Sequence, residues 1–390
     1  MALGVMSAVG TLGAAAGGII GGFAIKQFGW PIIYWISGTL SVIGLFLVLW
    51  TVPETPRRER KPFDYFGSAL LFSAVGTLLS VTTLIANLGF LSPYTLLTLL
   101  IGIILSMIFW QVEKRSPHPF IELSLFKNRR FILPLILSFF LTLCYQGVLY
   151  SNAFFVSSKP GGGPELAGML TMYVYVAGAI SGLIGGKLVD MIKMKHVILA
   201  SIGCFFVGAF VYSTFHENTP FWYIAMTVII LVMGITAMAP ACMKMALAVV
   251  PEEKLSMGSG TYTMIRDLGS PAGQTTGLAV FGTLSASSLV TALTQQAKES
   301  GVSEAFIPAL VEAAKSSGSV IDPKLSEQFA KLGLHFSDIY QAAQNKGMII
   351  ALNSMSYIVI GVTILIFIVA FWLPNIPVRS SLIERNSSTE

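Results

Sequence analysis

Ten long apolar runs, separated by short polar or basic segments, organise the chain: residues 2–25, 31–51, 65–89, 94–112, 131–155, 166–187, 197–215, 221–249, 258–293 and 348–373. A hydrocarbon core about 30 Å thick takes roughly 20 helical residues to cross. The pattern therefore predicts an all-α polytopic membrane protein of about ten transmembrane helices. The ninth run is too long for one crossing, so its outer end is expected to leave the membrane. Residues 294–347 break the rhythm as a long polar segment, with Ser303 and Ser337 each placed to cap a short amphipathic helix. That segment reads equally as a small cap over an exit or as a solvated linker.

Composition strengthens this reading. Of 390 residues 54% are hydrophobic and 11% charged, against roughly 25% charged in a soluble domain. Too little polar surface exists to cover a water-soluble globule. The net charge of +5 sits in short loops, with no basic patch interleaved with aromatics, so nucleic acid is excluded as a partner. Alternate loops and the tail hold Arg57, Arg58, Arg60, Lys61, Lys114, Arg115, Lys127, Arg129, Arg130, Lys187, Lys193, Lys195, Lys254, Arg379 and Arg385, while the opposite short loops hold Lys26 and Lys159. The positive-inside rule puts the richer side, and the C-terminus with it, in the cytoplasm. Cys144, Cys204 and Cys242 lie inside apolar runs and read as small buried hydrophobes. His118, His196, His216 and His335 are scattered, so neither metal nor cofactor is expected. No nucleotide-binding glycine loop or nucleophilic triad is present, and the chain is not read as an enzyme.

Glycines recur in a pattern of their own. The first span carries Gly13, Gly17 and Gly21, and the ninth carries Gly269, Gly273 and Gly277, each pair 256 residues apart. Such stripes let helix backbones approach closely in lipid. A third ladder, Gly178, Gly182 and Gly186, shows that these stripes also arise for packing alone. The repeat suits a transporter of two related halves that rock about an interface.

The first span spaces Gly4, Gly13, Gly17-Gly18 and Gly21-Gly22 in a way that resembles the antiporter motif of the major facilitator superfamily, with Gly18 where that motif has proline. Glycine also permits a bend. Phe28-Gly29-Trp30, Val52-Pro53-Glu54, Phe63-Asp64-Tyr65-Phe66-Gly67, Pro119-Phe120-Ile121-Glu122-Leu123 and Leu125-Phe126-Lys127-Asn128-Arg129 follow in order. Their succession resembles the fourteen-helix drug:proton antiporter branch. After the sixth span, Gly186, Asp190 and Lys195 match a degenerate copy of the family's cytoplasmic gating motif. Asp190 is expected either to latch that side of the molecule or to be a solvated helix terminus.

Matched to that branch, residues 1–52 correspond to the last two helices of the N-terminal half and 53–112 to an inserted central pair. Residues 113–130 form a cytoplasmic linker, 131–373 a six-helix C-terminal half with its extracytoplasmic loop at 294–347, and 374–390 a cytoplasmic tail. The chain reads as one entered partway, lacking the first four helices. Those helices hold the family's substrate-facing acidic residue and a key arginine.

Charges inside spans are the default working residues of a membrane protein. Arg266 and Asp267 lie about two turns into the ninth span, and Lys244 near the end of the eighth. Adjacent residues point about 100° apart on a helix, so Arg266 and Asp267 are expected to have different partners. Lys244 reads as functional or as snorkelling to the interface. Tyr145 and Gln146 in the fifth span, with Tyr173 and Tyr175 in the sixth, are candidates for an aromatic cavity. The resemblance implies proton-coupled efflux of small amphipathic compounds across a plasma or inner membrane, with lipid, substrate and protons as partners. It names no membrane-fusion or outer-membrane partner. The competing reading is an inactive fragment or structural membrane protein without transport of its own.

Overall fold

Inside hydrocarbon no water is available to the backbone, and only hydrogen bonds within the segment satisfy every N–H and C=O of an isolated span. The apolar runs accordingly fold as helices. A computed structural model describes residues 2–52, 64–89, 91–116, 121, 123–158, 162–216, 218–302, 307–308, 310–311 and 336–374. Ten long helices are present among them: α1 (Ala2–Phe28), α2 (Ile32–Thr51), α3 (Tyr65–Leu88), α4 (Pro93–Arg115), α5 (Arg129–Ser158), α6 (Pro164–Met191), α7 (Met194–Tyr212), α8 (Phe221–Leu247), α9 (Leu255–Glu299) and α10 (Phe336–Phe371). Each is long and apolar enough to cross a membrane. Positions 53–63, 119–120, 122, 159, 303, 379 and 385, which carry several motif and loop-charge expectations, lie outside the described residues.

Several family-like motifs prove to be helix boundaries. Gly29, at φ +77°, ends α1 in a conformation that a side chain would disfavour. The Asp64 carboxylate accepts from the Gly67 backbone N–H at 2.7 Å and so caps α3. A Cβ on Gly67 would press into that carboxylate. Asn128 does the same for α5, accepting from Arg130 N–H at 2.9 Å.

Helices α5 to α10 share one core. Phe131, Leu137, Leu141, Leu170, Ile198, Phe205, Leu231, Ala241, Tyr262 and Leu352 are buried within it or close to it. Around that core α5 packs on α8 and α9, α7 on α8 and α10, α6 on α8, and α9 on α10. The front of the chain meets that core chiefly through α1 and α3. Helix α1 lies along α6, α3 pairs with α4 and touches α9, and α2 has no buried residue.

The glycine ladders part company here. On α9, a Cβ at Gly269, Gly273 or Gly277 would overlap backbone atoms of Phe139, Leu143 and Gly147 on α5. On α1, Gly13, Gly17 and Gly21 face open space, with nothing within 4 Å of a built Cβ. The contact of α1 is made one position round the helix, where Gly18 and Gly22 meet Gly168 and Pro164 of α6. The ladder expected on α6 also turns: Gly186 is open, and Gly185 instead meets the Ala237 backbone of α8. Sequence spacing identifies a stripe, but only the neighbour decides which stripe is used.

The polar break is narrower than the sequence reading suggested. Helix α9 runs 45 residues, about 67 Å at 1.5 Å per residue, and α10 starts at Phe336. Ser337 therefore opens the last long helix, not a separate short one. Outside the main core, Ala292, Leu293 and Ala297 of α9 pack with Val302, Leu310, Ile339 and Ala343. This small apolar seam, together with Lys346 at 3.8 Å from Glu299, carries both helices beyond the length a bilayer needs.

Two substitutions separate the ladders. Gly273→Val is expected to lower the thermal unfolding midpoint in detergent by about 1–4 °C, since overpacking costs about 1–3 kcal/mol. Gly17→Ala should leave it within about 0.5 °C. Equal shifts would contradict the packing described.

Candidate functional site

Between α5, α6, α8 and α9 lies a cavity of about 490 Å³. Helix α5 lines it with Ser138, Thr142, Tyr145 and Gln146, and α9 with Arg266, Asp267, Ser270 and Pro271. Both sets follow helical spacing, so each is one stripe on its helix. Helix α8 adds Ile235, Thr236, Met238 and Ala239, and α6 adds Tyr175. The backbone contact at Gly269 and Gly273 brings the α5 and α9 stripes together, because Arg266 and Ser270 sit beside the glycines that touch α5.

The walls are apolar with a few fixed polar groups. The Gln146 Nε2 donates to Ser270 Oγ, which also receives Gln274 Nε2 at 3.2 Å. Ser138 Oγ and Tyr262 Oη lie 2.6 Å apart at the cavity edge. Pro271 has no N–H, so the carbonyl of Asp267 loses its usual partner four residues on.

Arg266 and Asp267 do not take separate partners. Arg266 Nε donates to Asp267 Oδ1 at 2.8 Å, with side chains 27% and 57% exposed. The long arginine arm bends round the helix and closes the angle between neighbours. The pair moderates an insertion cost of about 2.5–3.5 kcal/mol for each isolated mid-helix charge.

Of the tyrosine candidates, Tyr145 is buried in the cavity wall and Tyr173 is not part of it. Tyr173 is 43% exposed and its ring lies 6.5 Å from Phe221 on the outside of the bundle. Tyr175 takes the inward place, because two residues on a helix differ by about 200°. Sequence reasoning missed Ser138, Thr142, Thr236 and Ser270. The signal was available in α9: Arg266, Ser270 and Gln274 recur every fourth position beside the glycine ladder.

At the other named motif, Asp190 near the end of α6 pairs with Lys244 of α8 at 2.7 Å. Lys195 Nζ donates to the Phe371 carbonyl at 2.6 Å, tying the start of α7 to the end of α10. Gly186 touches nothing within 4 Å. Both members of the Asp190–Lys244 pair are exposed, and such pairs contribute about 0.2–1 kcal/mol. On α1, Lys26 pairs with Glu165 of α6 next to the Gly22 contact, and Gly4 lies in the first turn. Among the described residues no three His, Cys, Asp or Glu side chains form a metal-sized group.

The Arg266–Asp267 pair has a testable signature. Arg266→Met or Asp267→Asn alone leaves one charge without its partner and should cost about 1 kcal/mol, discounted for partial exposure. The double variant should recover at least half of that in thermal unfolding. Strict additivity of the two losses would show that the charges do not depend on each other.

A family model described as "Major Facilitator Superfamily" matches residues 1–274. The Multidrug resistance protein Stp of Mycobacterium tuberculosis is 26% identical over 283 residues, 73% of this chain and 52% of its own length. The Methyl viologen resistance protein SmvA of Salmonella typhimurium is 26% identical over 285 residues, 73% and 57% of the two chains. The Quinolone resistance protein NorB of Staphylococcus aureus is 28% identical over 269 residues, 68% and 58% of the two. This chain thus spans about half the length of the curated relatives it matches. Ten membrane-length helices, motifs that fall at helix boundaries, and a match over most of its residues lead to one statement: this multi-pass membrane protein belongs to the major facilitator superfamily.

Proposed function

We propose that this chain supplies the substrate-handling lobe of a secondary active transporter that exports amphipathic drug-like compounds in exchange for protons. The observation that carries this reading is the cavity between α5, α6, α8 and α9, with its apolar and aromatic walls and single ion pair. Bulky amphipathic solutes need such a chamber: apolar area for affinity and a few polar groups for orientation. Three relatives named for resistance to multiple drugs, methyl viologen and quinolones support the substrate class.

Asp267 is the proposed proton site. It is a carboxylate on the cavity wall, reachable from solvent, and its charge is balanced by Arg266. Protonation would remove the partner of Arg266 and free the guanidinium to move, coupling proton entry to rearrangement of the cavity. The weak Asp190–Lys244 pair would act as the reversible latch between α6 and α8. Helix α1, whose Gly18 and Gly22 lie against α6, would be the rocking contact. The described basic residues gather at the α4–α5, α6–α7 and α8–α9 ends, which supports a cytoplasmic placement of that side.

A second reading has its own support. Helix α2 buries nothing and the Gly13 face of α1 is bare, so the front of the chain offers little wall for a site shared between two halves. On that reading the chain is a membrane protein without transport of its own.

Proteoliposomes with an imposed pH gradient decide between the readings. The transporter reading expects uptake of tetraphenylphosphonium that follows the gradient and collapses with an uncoupler. Asp267→Asn is expected to reduce the proton-driven component at least about tenfold, the scale of one lost proton-transfer group. Binding and flux both absent in wild type would favour the second reading. In cells, an impermeant thiol reagent should label a cysteine added after Glu390 only once the membrane is permeabilised. Labelling of intact cells would invert the orientation.

A further inference from the structure

Helix α6 carries an ion pair at each end. Asp190, its next-to-last residue, pairs with Lys244 of α8. Glu165, in its first turn, pairs with Lys26 in the last turn of α1. Glu165 and Asp190 are about 38 Å apart along the helix. The two pairs therefore lie at opposite faces of the bilayer.

Inward from Lys26, α1 rests on α6 with glycine at the contact. A Cβ on Gly22 would come within 2.7 Å of the Pro164 carbonyl and 3.3 Å of Glu165 Cα. One on Gly18 would come within 3.1 Å of the Gly168 carbonyl. Further along, a Cβ on Gly178 would touch Thr11 of α1 at 3.8 Å and Thr236 of α8 at 3.4 Å. Thr236 lines the chamber, and so does Tyr175, about one turn before Gly178. Helix α1 thus covers the corner of the chamber wall where α6 meets α8. From Thr11 to Lys26 this seam runs about 22 Å, and Lys26 is the only charged residue of α1.

The chemistry suits a fastening that opens. A lysine in the last turn of one helix and a glutamate in the first turn of another are each favoured by their own helix dipole. Neither charge is stranded when the pair parts. Their side chains are 60% and 21% exposed, so water takes the partner's place. Behind the pair, glycine offers no interlocking side chains to hold α1 on α6.

We infer that Lys26–Glu165 is a latch at the end of the chamber opposite Asp190–Lys244. Closed, it holds α1 on α6; broken, it lets that end of the seam part and opens the α6–α8 corner to that side of the membrane. The inference rests on the transporter reading above and adds the gate on the second side.

Thiol accessibility tests it, with Thr236→Cys as reporter in sealed membrane vesicles and the chain without that substitution as blank. A membrane-impermeant maleimide is added to each side in turn. Glu165→Gln should speed labelling from the Lys26 side about two- to fivefold, the scale of one exposed ion pair. Labelling from the other side should not change. Lys26→Met should act alike, and the double variant should add nothing further. In proteoliposomes, Lys26→Cys/Glu165→Cys joined by a short bis-methanethiosulfonate should lose tetraphenylphosphonium flux by about tenfold or more, since a gate held shut blocks turnover. Dithiothreitol should restore the flux seen before cross-linking, which also shows that the protein stayed folded. Wild type treated identically should be unaffected.

Labelling that ignores both single variants overturns the latch. So does cross-linked protein that transports at its uncross-linked rate, and the efflux reading then stands. Faster labelling with no flux in any form, wild type included, keeps the latch and overturns the efflux reading. Unchanged labelling together with absent flux overturns both.

Discussion

The contact between α5 and α9 is made of backbone, not side chains. Gly269, Gly273 and Gly277 lie on Phe139, Leu143 and Gly147 so closely that no Cβ fits between them. In lipid, helices gain little from hiding apolar surface, because the surrounding tails are equally apolar. Close backbone approach supplies dispersion contacts that longer side chains would hold apart. That approach sets the register of the two helices. The register in turn places Arg266, Asp267 and Ser270 opposite Tyr145 and Gln146 and leaves a chamber beside them.

Two other helix pairs meet in the same way, through glycine. The α6–α8 contact is close at Gly185 but ends in an exposed ion pair, Asp190–Lys244. The α1–α6 contact is close at Gly18 and Gly22 and ends in Lys26–Glu165. Each pairs a smooth surface with a weak electrostatic fastening. Smooth glycine surfaces tolerate sliding, and ion pairs in water break at little cost.

The ten helices were legible because each twenty-residue apolar run has one structural solution in a bilayer. The helix ends were legible less well: α9 and α10 continue past the apolar runs, since Ala292, Ala297, Ile339 and Ala343 form a seam that apolar content alone does not mark. In the site, Tyr145, Gln146, Arg266 and Asp267 stood out because polar groups within spans are rare. Ser138, Thr142 and Ser270 did not, since small hydroxyl residues can satisfy themselves on their own helix anywhere in a membrane. Tyr173 and Tyr175 could not be separated without knowing which face of α6 meets α8. The Arg266–Asp267 pairing was hidden for a similar reason: helical angles describe where Cβ points, not where a long side chain ends.

The central claim is that the chamber framed by α5, α6, α8 and α9 holds the ligand. Photoaffinity labelling with an azido-substituted amphipathic cation, followed by peptide mapping, addresses it most directly. The account predicts adducts concentrated in residues 129–158 and 255–299, at cavity positions such as Tyr145 and Met238 on its facing wall, and competed away by unlabelled compound. Saturable labelling confined to α2, α3 and α4, with the chamber unmarked, would contradict it.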